Sequence, residues 1–354
     1  MMERTMPGWR LLAPALLVLL LVACGRGQDG EDAASAPAPA AAGTTAGVAA
    51  PARAAEAPIP QIVTRDGRHA LLVDGEPFLV LGAQVNNSGN WPKALEAVWP
   101  AIEVVKPNTM MVPVAWEQVE AEEGKFDFSF VDELLKQARA HDQRLVLLWF
   151  ATWKNNGPNY APKWVKLDNQ RFPRVVTADG RTLNSLSPHG QATLEADRKA
   201  FVALMEHLKA ADPQRTVIMV QPQNEPGTYG GVRDFSPLAQ KVFEGAVPDA
   251  LVQKLGKSPG TWREVFGADA DEFFHAWHIA RYIDQVAEAG KANGFDVVVV
   301  QPWLDPRWPD ATTAKYVNSP LDSHCNVAGC EMWATAVYDS LEERGWLGRI
   351  KGAH

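Results

Sequence analysis

Beyond about residue 58, the chain alternates between short apolar runs typical of buried strands and longer stretches with helical periodicity. The predicted strands cover residues 78–84, 109–114, 145–150, 216–220 and 297–300. The predicted helices cover residues 93–105, 130–140, 194–211 and 273–292. A small hairpin, with Asp74 and Gly75 as its turn, precedes the first of these strands. This alternation predicts a parallel sheet covered by helices.

The ends of the predicted strands are rich in polar and aromatic residues, which favours a (β/α)₈ barrel over a doubly wound sheet. No strand is followed by the glycine-rich loop that nucleotide-binding folds use to hold phosphate. A full barrel needs eight strands, and only about five can be recognised. The predicted fold class is therefore α/β, an incomplete (β/α)₈ TIM barrel.

The N-terminus has the features of an export signal. Arg4 and Arg10 precede an apolar run at residues 11–23, which is short for a membrane span and suits a signal peptide. The run ends in LVACG at residues 21–25, which resembles a bacterial lipobox whose cysteine, here Cys24, is acylated. The alternative is a free cysteine at the edge of an ordinary signal peptide. By the same resemblance, Gly25 permits transit to the outer membrane, so we expect a lipoprotein of the cell envelope that faces the periplasm.

Composition divides the remaining chain into three segments. Residues 25–57 are rich in alanine and proline and cannot bury enough apolar surface to fold, so they are interpreted as a disordered tether after the signal peptide, residues 1–24. Residues 58–300 carry the strand and helix pattern of the barrel. Residues 301–354 form a tail of different texture that includes Cys325 and Cys330, either incidental cysteines or a disulfide.

Charge and composition exclude some functions and favour another. A net charge of −8 argues against a nucleic-acid partner, because no basic surplus is present to neutralise phosphates. The 13 tryptophans, against 5 tyrosines, fit either core packing or a sugar-binding cleft, since the C–H face of a pyranose packs on an indole. The eight histidines show no metal-ligand spacing, so no cofactor is implied.

Candidate functional residues follow the predicted strands, because barrel active sites lie at the carboxyl ends of the strands. Amide and carboxylate groups bind sugar hydroxyls, and indoles supply stacking surfaces. The candidates are Gln84 and Asn86 after the first strand, Trp116 and Glu117 after the second, Trp153 and Asn155 after the third, and Asn224 and Glu225 after the fourth.

Several of these candidates have a plain structural alternative. Glu117 either binds a substrate hydroxyl or pairs with a neighbouring lysine or arginine. Asn86 and Asn155 either contact substrate or form turns, to which asparagine is suited on its own account. Trp116 and Trp153 either stack on a sugar or pack in the core.

An Asn-Glu pair at the end of strand four is the hallmark of clan A glycoside hydrolases, and residues 78–291 resemble bacterial β-galactosidases of family 35, in the subgroup close to family 42. The supporting segments are LGAQ at 81–84, PVAWEQ at 113–118, WFATWKNNGP at 149–158 and VRDFSP at 232–237. The resemblance implies a retaining exo-β-galactosidase that acts on galactose-containing oligosaccharides such as xyloglucan fragments. It gives Glu225 the role of catalytic acid/base, and Asn224 a hydrogen bond to the sugar 2-hydroxyl. As an acid, Glu225 must hold a proton near neutral pH, so we expect it to be buried beside a second carboxylate.

The sequence also departs from this family. The nucleophilic glutamate lies on a late strand in the family, yet the resemblance fades at about residue 293, which suggests a truncated or frameshifted gene. Glu331 is a formal candidate, but neither its neighbours nor its spacing from Glu225 match. Pro222 and Pro226 flank the Asn-Glu pair, and Pro222 removes a hydrogen-bond donor from the predicted strand. The alternative function is a non-catalytic lipoprotein, either a sugar-binding remnant or an inactive fragment.

Overall fold

A computed structural model of the protein describes residues 56–65 and 68–292, and the backbone of two short strands further on. The strands are β1 (Gln61–Arg65), β2 (Arg68–Val73), β3 (Glu76–Pro77), β4 (Gly82–Gln84), β5 (Thr109–Ala115), β6 (Arg144–Lys154), β7 (Arg174–Val176), β8 (Thr182–Leu186), β9 (Val217–Asn224), β10 (Val317–Ser319) and β11 (Asp322–Cys325). The helices are α1 (Pro92–Val105), α2 (Trp116–Val119), α3 (Ser129–Ala140), α4 (Lys163–Lys166), α5 (Gln191–Ala211), α6 (Pro237–Phe243), α7 (Asp249–Lys254), α8 (Trp262–Phe266) and α9 (Ala270–Lys291), with a 3₁₀ turn at Gly267–Asp269.

A parallel sheet with the strand order β4-β5-β6-β9 organises the described part of the chain. Helix α1 connects β4 to β5, α3 connects β5 to β6, and α5 precedes β9. The fold-class prediction is confirmed, because the strands are parallel and alternate with helices. The barrel is incomplete, as expected, since the described residues contribute four parallel strands. The predicted strand at 297–300 lies outside the described residues.

The helices bury the faces that their apolar spacing predicted. In α3, Val131, Leu134, Leu135 and Ala138 are all buried against the sheet. Helix α5 buries a longer stripe of apolar side chains. Phe201 lies within this stripe, and its neighbours on the same face of the helix are also buried. These two helices and the sheet therefore form one continuous hydrophobic core.

Three strands of the sheet differ from their predicted ranges by more than one residue. Strand β4 begins late because residues Leu79 and Leu81 bond to the Asn108 side chain rather than to the β5 backbone. Strand β6 runs on to Lys154, and β9 runs on to Asn224, through Pro222. Within the described sheet β9 is an edge strand, which is the position where a proline is tolerated.

Besides the parallel sheet, the described residues form three small antiparallel sheets, β1-β2-β3, β7-β8 and β10-β11, and a helical cluster. The predicted hairpin is confirmed as β2 and β3, whose turn residues Asp74 and Gly75 have φ of 55° and 83°. Strand β1 adds to it, and the β7–β8 hairpin was not predicted. Helices α6 to α9 bury a second apolar cluster around Trp262 and Phe274. Over the described ranges, no helix has the length and hydrophobicity needed to cross a membrane.

Candidate active site

The carboxyl ends of the four parallel strands bring the predicted site residues to one edge of the sheet. Strand β4 ends at Gln84, β6 ends at Lys154 and β9 ends at Asn224, while β5 leads directly into Trp116 and Glu117 of α2. Because all four strands point the same way, these residues share the edge where barrel enzymes place their chemistry.

Glu225 follows β9 directly and has a half-exposed side chain. Its backbone lies in the left-handed region, with φ of 49°, and its side chain is 48% exposed. Its Oε2 accepts an ion-paired hydrogen bond from Nζ of Lys154, whose own side chain is only 6% exposed. The expectation that Glu225 is buried beside a second carboxylate is therefore wrong for the described residues, where its partner is an ammonium group.

The loop after β6 contacts the loop after β9 at several points. The backbone N–H of Asn156 donates to the carbonyl oxygen of Glu225 at 3.3 Å. Asn155, an exposed residue, accepts a hydrogen bond from Lys154 through its Oδ1. Both asparagines have positive φ, 51° and 63°, and form a turn. This agrees with the alternative interpretation of Asn155 as a turn residue. Asn224 lies next to Glu225 and makes no side-chain hydrogen bond with another described residue.

A buried carboxylate on α5 accepts hydrogen bonds from side chains of β6 and β9. Asp197 is fully buried, and four side chains donate to it: Trp149 Nε1 at 2.9 Å, Thr152 Oγ1 at 2.6 Å, Gln223 Nε2 at 2.5 Å and Tyr282 OH at 3.3 Å. Burial raises the pKa of Asp197 above its ordinary value, and these hydrogen bonds act against the rise. The same burial raises the pKa of Tyr282, with the charge of Asp197 as a further cause.

Gln223 connects this network to the segment that carries Glu225. Its Oε1 accepts from the backbone N–H of Trp153 at 3.0 Å, and its carbonyl oxygen accepts from Nε2 of Gln221 at 3.0 Å. With a φ of 63°, Gln223 is strained for a residue with a side chain. Its amide therefore joins β6, β9 and α5 two residues before Glu225.

The other polar candidates lie at the same edge of the sheet and differ in their hydrogen-bond partners. Glu117 pairs with Lys166, Nζ to Oε2 at 2.7 Å, which is the ion-pair alternative, although its side chain stays 36% exposed. Asn86 caps its own turn, since its Oδ1 accepts from the backbone N–H of Ser88 at 2.9 Å. Gln84 is exposed at the end of β4.

Trp116 and Trp153 are both fully buried, so neither presents an indole face to a sugar. Trp116 donates to Oε2 of Glu120 at 2.8 Å and meets Trp164 edge-on, with ring centroids 5.7 Å apart. Trp153 donates to the carbonyl of Leu186 at 3.2 Å. The core-packing alternative accounts for both residues in this structure.

Comparison with known proteins gives the family. Residues 100–297, more than half of the chain, match the sequence model of glycoside hydrolase family 42, described as β-galactosidase. The chain belongs to glycoside hydrolase family 42. The specific expectation of family 35 is not supported. Asn224 and Glu225 lie inside the matched region, whereas Gln84 and Asn86 precede it.

Three solved structures that resemble this family 42 chain share little sequence with it. The catalytic domain of a β-amylase from Paenibacillus polymyxa is 14% identical, with a TM-score of 0.41, over 62% of this chain and 65% of that one. A β-galactosidase from the psychrophilic Marinomonas ef1 is 15% identical, with a TM-score of 0.44, over 62% and 37%. A cold-adapted β-galactosidase from Rahnella sp. R3 is 17% identical, with a TM-score of 0.43, over 61% and 34%. The chain spans less than two thirds of each. A search of curated proteins gives no match.

The family 42 site contains three polar residues that sequence reasoning did not select: Lys154, Asp197 and Gln223. Lys154 carried a signal, because it is a charged residue at the end of a strongly apolar strand. Asp197 lies on the buried stripe of α5, between Leu194 and Phe201, where a carboxylate is unusual without partners. No residue group able to hold a metal ion was found among the described residues. The lipidation candidate Cys24 and the carboxylate candidate Glu331 lie outside them.

Proposed function

We propose that the chain is a retaining, exo-acting β-galactosidase that removes terminal β-galactosyl residues from oligosaccharides, with Glu225 as the general acid/base. The observation that carries this proposal is the position of Glu225 in a family 42 domain. It follows β9 directly at the carboxyl edge of the sheet, beside Asn224, with its carboxylate open to solvent. A group that protonates a bound glycoside needs this combination of a fixed backbone and an accessible oxygen.

The proposed mechanism has two steps. Glu225 gives its proton to the glycosidic oxygen, which takes the electron pair of the breaking C–O bond, while a second carboxylate bonds to the anomeric carbon. Glu225, now ionised, removes a proton from water, whose oxygen displaces that carboxylate and restores the original configuration. Asn224 is proposed to bind the sugar 2-hydroxyl, since its amide is not engaged by other described residues. We assign the second carboxylate to no described residue.

Four further residues are proposed to contact substrate hydroxyls because polar groups of each are accessible at the same edge. Gln84, Asn86 and Asn155 are exposed, and Glu117 is 36% exposed despite its ion pair. Asn86 and Asn155 also stabilise their own turns. A substitution by alanine at Gln84 should raise KM without changing the pH range of activity.

The decisive experiment compares Glu225→Gln with the wild-type chain from residue 25 onward on aryl β-galactosides. Removing a general acid should lower kcat about 10²- to 10⁴-fold for a poor leaving group and less for an activated one. Glu206→Gln, an exposed glutamate on α5, is the matched control and should leave both rates unchanged. The first product, followed by NMR, should be β-galactose.

The rival proposal is a non-catalytic lipoprotein. It would replace the first if the wild-type chain released no leaving group from any aryl β-galactoside. Binding of galactosides without turnover would then identify a sugar-binding remnant, and absence of binding an inactive fragment. Equal loss of rate in both glutamate variants would instead remove Glu225 from the acid/base role.

We also propose that the chain is exported and anchored to the outer membrane through a lipid on Cys24, with residues 25–57 as a tether and residues 301–354 as a divergent tail. The lipobox-like LVACG at 21–25 supports this proposal. Labelled palmitate should be incorporated into the wild-type chain and not into Cys24→Ser. Equal labelling of both would contradict the anchor.

A further inference from the structure

The ion pair between Lys154 and Glu225 differs from the surface pairs of the protein in its burial. The side chain of Lys154 is 6% exposed, so its apolar stem is packed inside the fold while its ammonium reaches the active-site edge. Besides Glu225, the ammonium contacts Oδ1 of Asn155 and lies 5.4 Å from the centre of the Phe150 ring. Burying a charge in this way is costly unless its partners are fixed.

The contact is made with one oxygen of the carboxylate. Lys154 donates to Oε2 of Glu225, and Oε1 has no hydrogen-bond partner among the described residues. The two oxygens therefore have different surroundings, one held by an ammonium group and the other open to solvent. Only the open oxygen can approach a glycosidic bond.

The backbone of Glu225 is held independently of this contact. Asn156 N–H donates to the carbonyl of Glu225, and Gln223 anchors the preceding residues to Asp197. What remains free is the side-chain rotation of Glu225, and this is the freedom that Lys154 removes. A long ammonium side chain whose stem is buried is suited to limit that rotation.

We propose that Lys154 is a positioning residue that holds Oε2 of Glu225 and leaves Oε1 as the oxygen that exchanges the proton with substrate and water. This inference rests on the proposed acid/base role of Glu225. In the protonated form of Glu225 the proton lies on Oε1, while Oε2 still accepts from Lys154. When Oε1 gives this proton to the leaving oxygen, the electron pair of the O–H bond stays on the carboxylate. The ammonium of Lys154 already faces the negative charge that forms.

The first test measures the pair without reference to activity, through urea unfolding of Lys154→Met, Glu225→Gln and the double variant. Each variant changes the equilibrium constant of unfolding by some factor. The product of the factors of the two single variants should differ from the factor of the double variant by about threefold or more. Lys136 and Glu133, an exposed pair on α3, give the control cycle, which should show less coupling. If Lys154→Met does not fold, Lys154→Gln takes its place. Coupling no larger than in the control cycle overturns the proposal.

The second test separates positioning from a merely structural role. Lys154→Met should lower kcat about tenfold to a hundredfold for a galactoside with a poor leaving group, with a smaller loss for an activated one and little change in KM. Lys154→Arg should restore part of the rate. Equal losses for both substrates per folded molecule would overturn the proposal. If the urea cycle shows the coupling but the wild-type chain shows no turnover, the proposed function is wrong, whereas the contact that fixes the Glu225 side chain is supported.

Discussion

A largely buried histidine cluster predicts that the protein loses stability in mild acid. His189, His275 and His278 lie around Phe274, with ring centroids of His189 and His278 4.6 Å apart. Burial, followed by the charge of His278, lowers the pKa of His189 to about 3, and burial lowers the pKa of His275 to about 4. The pKa of His278 is lowered as well, also by burial. Nε2 of His189 and both ring nitrogens of His275 have no hydrogen-bond partner within the described ranges.

The sign and size of the effect follow from these shifts. Below the ordinary histidine pKa of about 6.5, the unfolded chain takes up protons that the folded chain refuses, so stability falls as pH falls from 6.5 towards 4. At pH 5 this amounts to about 2 kcal/mol for each of His189 and His275, or about 4 kcal/mol together. Such a loss is a large part of an ordinary unfolding free energy of about 5–15 kcal/mol. Asp197 acts in the opposite direction, because its raised pKa lets the folded state keep a proton that the unfolded state has lost.

The assay is urea unfolding followed by tryptophan fluorescence at pH 8, 7, 6 and 5. His275→Leu should be about 2 kcal/mol less sensitive to the change from pH 8 to 5 than the wild type. Phe243→Leu, in the same apolar cluster but not titratable, should lower stability equally at every pH. If the pH dependence of His275→Leu equals that of the wild type, the buried neutral histidine is not its cause.

Three further substitutions test the packing described above. Asp197→Leu removes the acceptor of four buried donors, and because only one of the Thr152 and Tyr282 hydroxyls can donate to the other, three donors are left unpaired at about 1–3 kcal/mol each. Thermal unfolding should therefore show a chain that is largely unfolded at 37 °C; a small shift in Tm would contradict the network. Gly290→Ala places a Cβ 2.3 Å from a ring carbon of Phe201 and should destabilise by about 1–3 kcal/mol in urea unfolding, although alanine is the better helix former. Trp153→Phe loses the hydrogen bond to the Leu186 carbonyl and should lower stability by about 1–3 kcal/mol. The KM for a galactoside should be unchanged in this variant.

The helices and most strands were predictable because their signals are local. The apolar positions of α3 recur at helical spacing, and every one of them is buried. The β7–β8 hairpin was missed although Asp179 and Gly180 form a turn of the kind that marks hairpins, with φ of 82° at the glycine. The extension of β6 to Lys154 was missed for a different reason. Its last residues are aromatic and charged, and their burial comes from segments distant in sequence.

The site was predictable only as far as its residues follow strands. The order of β4, β5, β6 and β9 places Gln84, Glu117 and Glu225 at one edge, and this could be deduced from the strand pattern. The partners of each residue could not be deduced, since Lys154 lies 71 residues from Glu225 and Lys166 lies 49 residues from Glu117. The burial of Trp153 has the same origin, because Tyr282 of α9 packs against it.

The backbone around Glu225 shows why those distant contacts matter to the proposed chemistry. Gln223 and Glu225 both have positive φ, a conformation that costs of order 1–3 kcal/mol for residues with side chains. The segment keeps it because the Gln223 side chain bonds to Asp197 and to the Trp153 backbone, and because Asn156 bonds to the Glu225 carbonyl. An isolated β9 with the same sequence would relax to an extended end and carry its glutamate elsewhere. The Asn-Glu pair thus marks the proposed acid/base, but the helix α5 carboxylate and the loop after β6 determine where its oxygens lie.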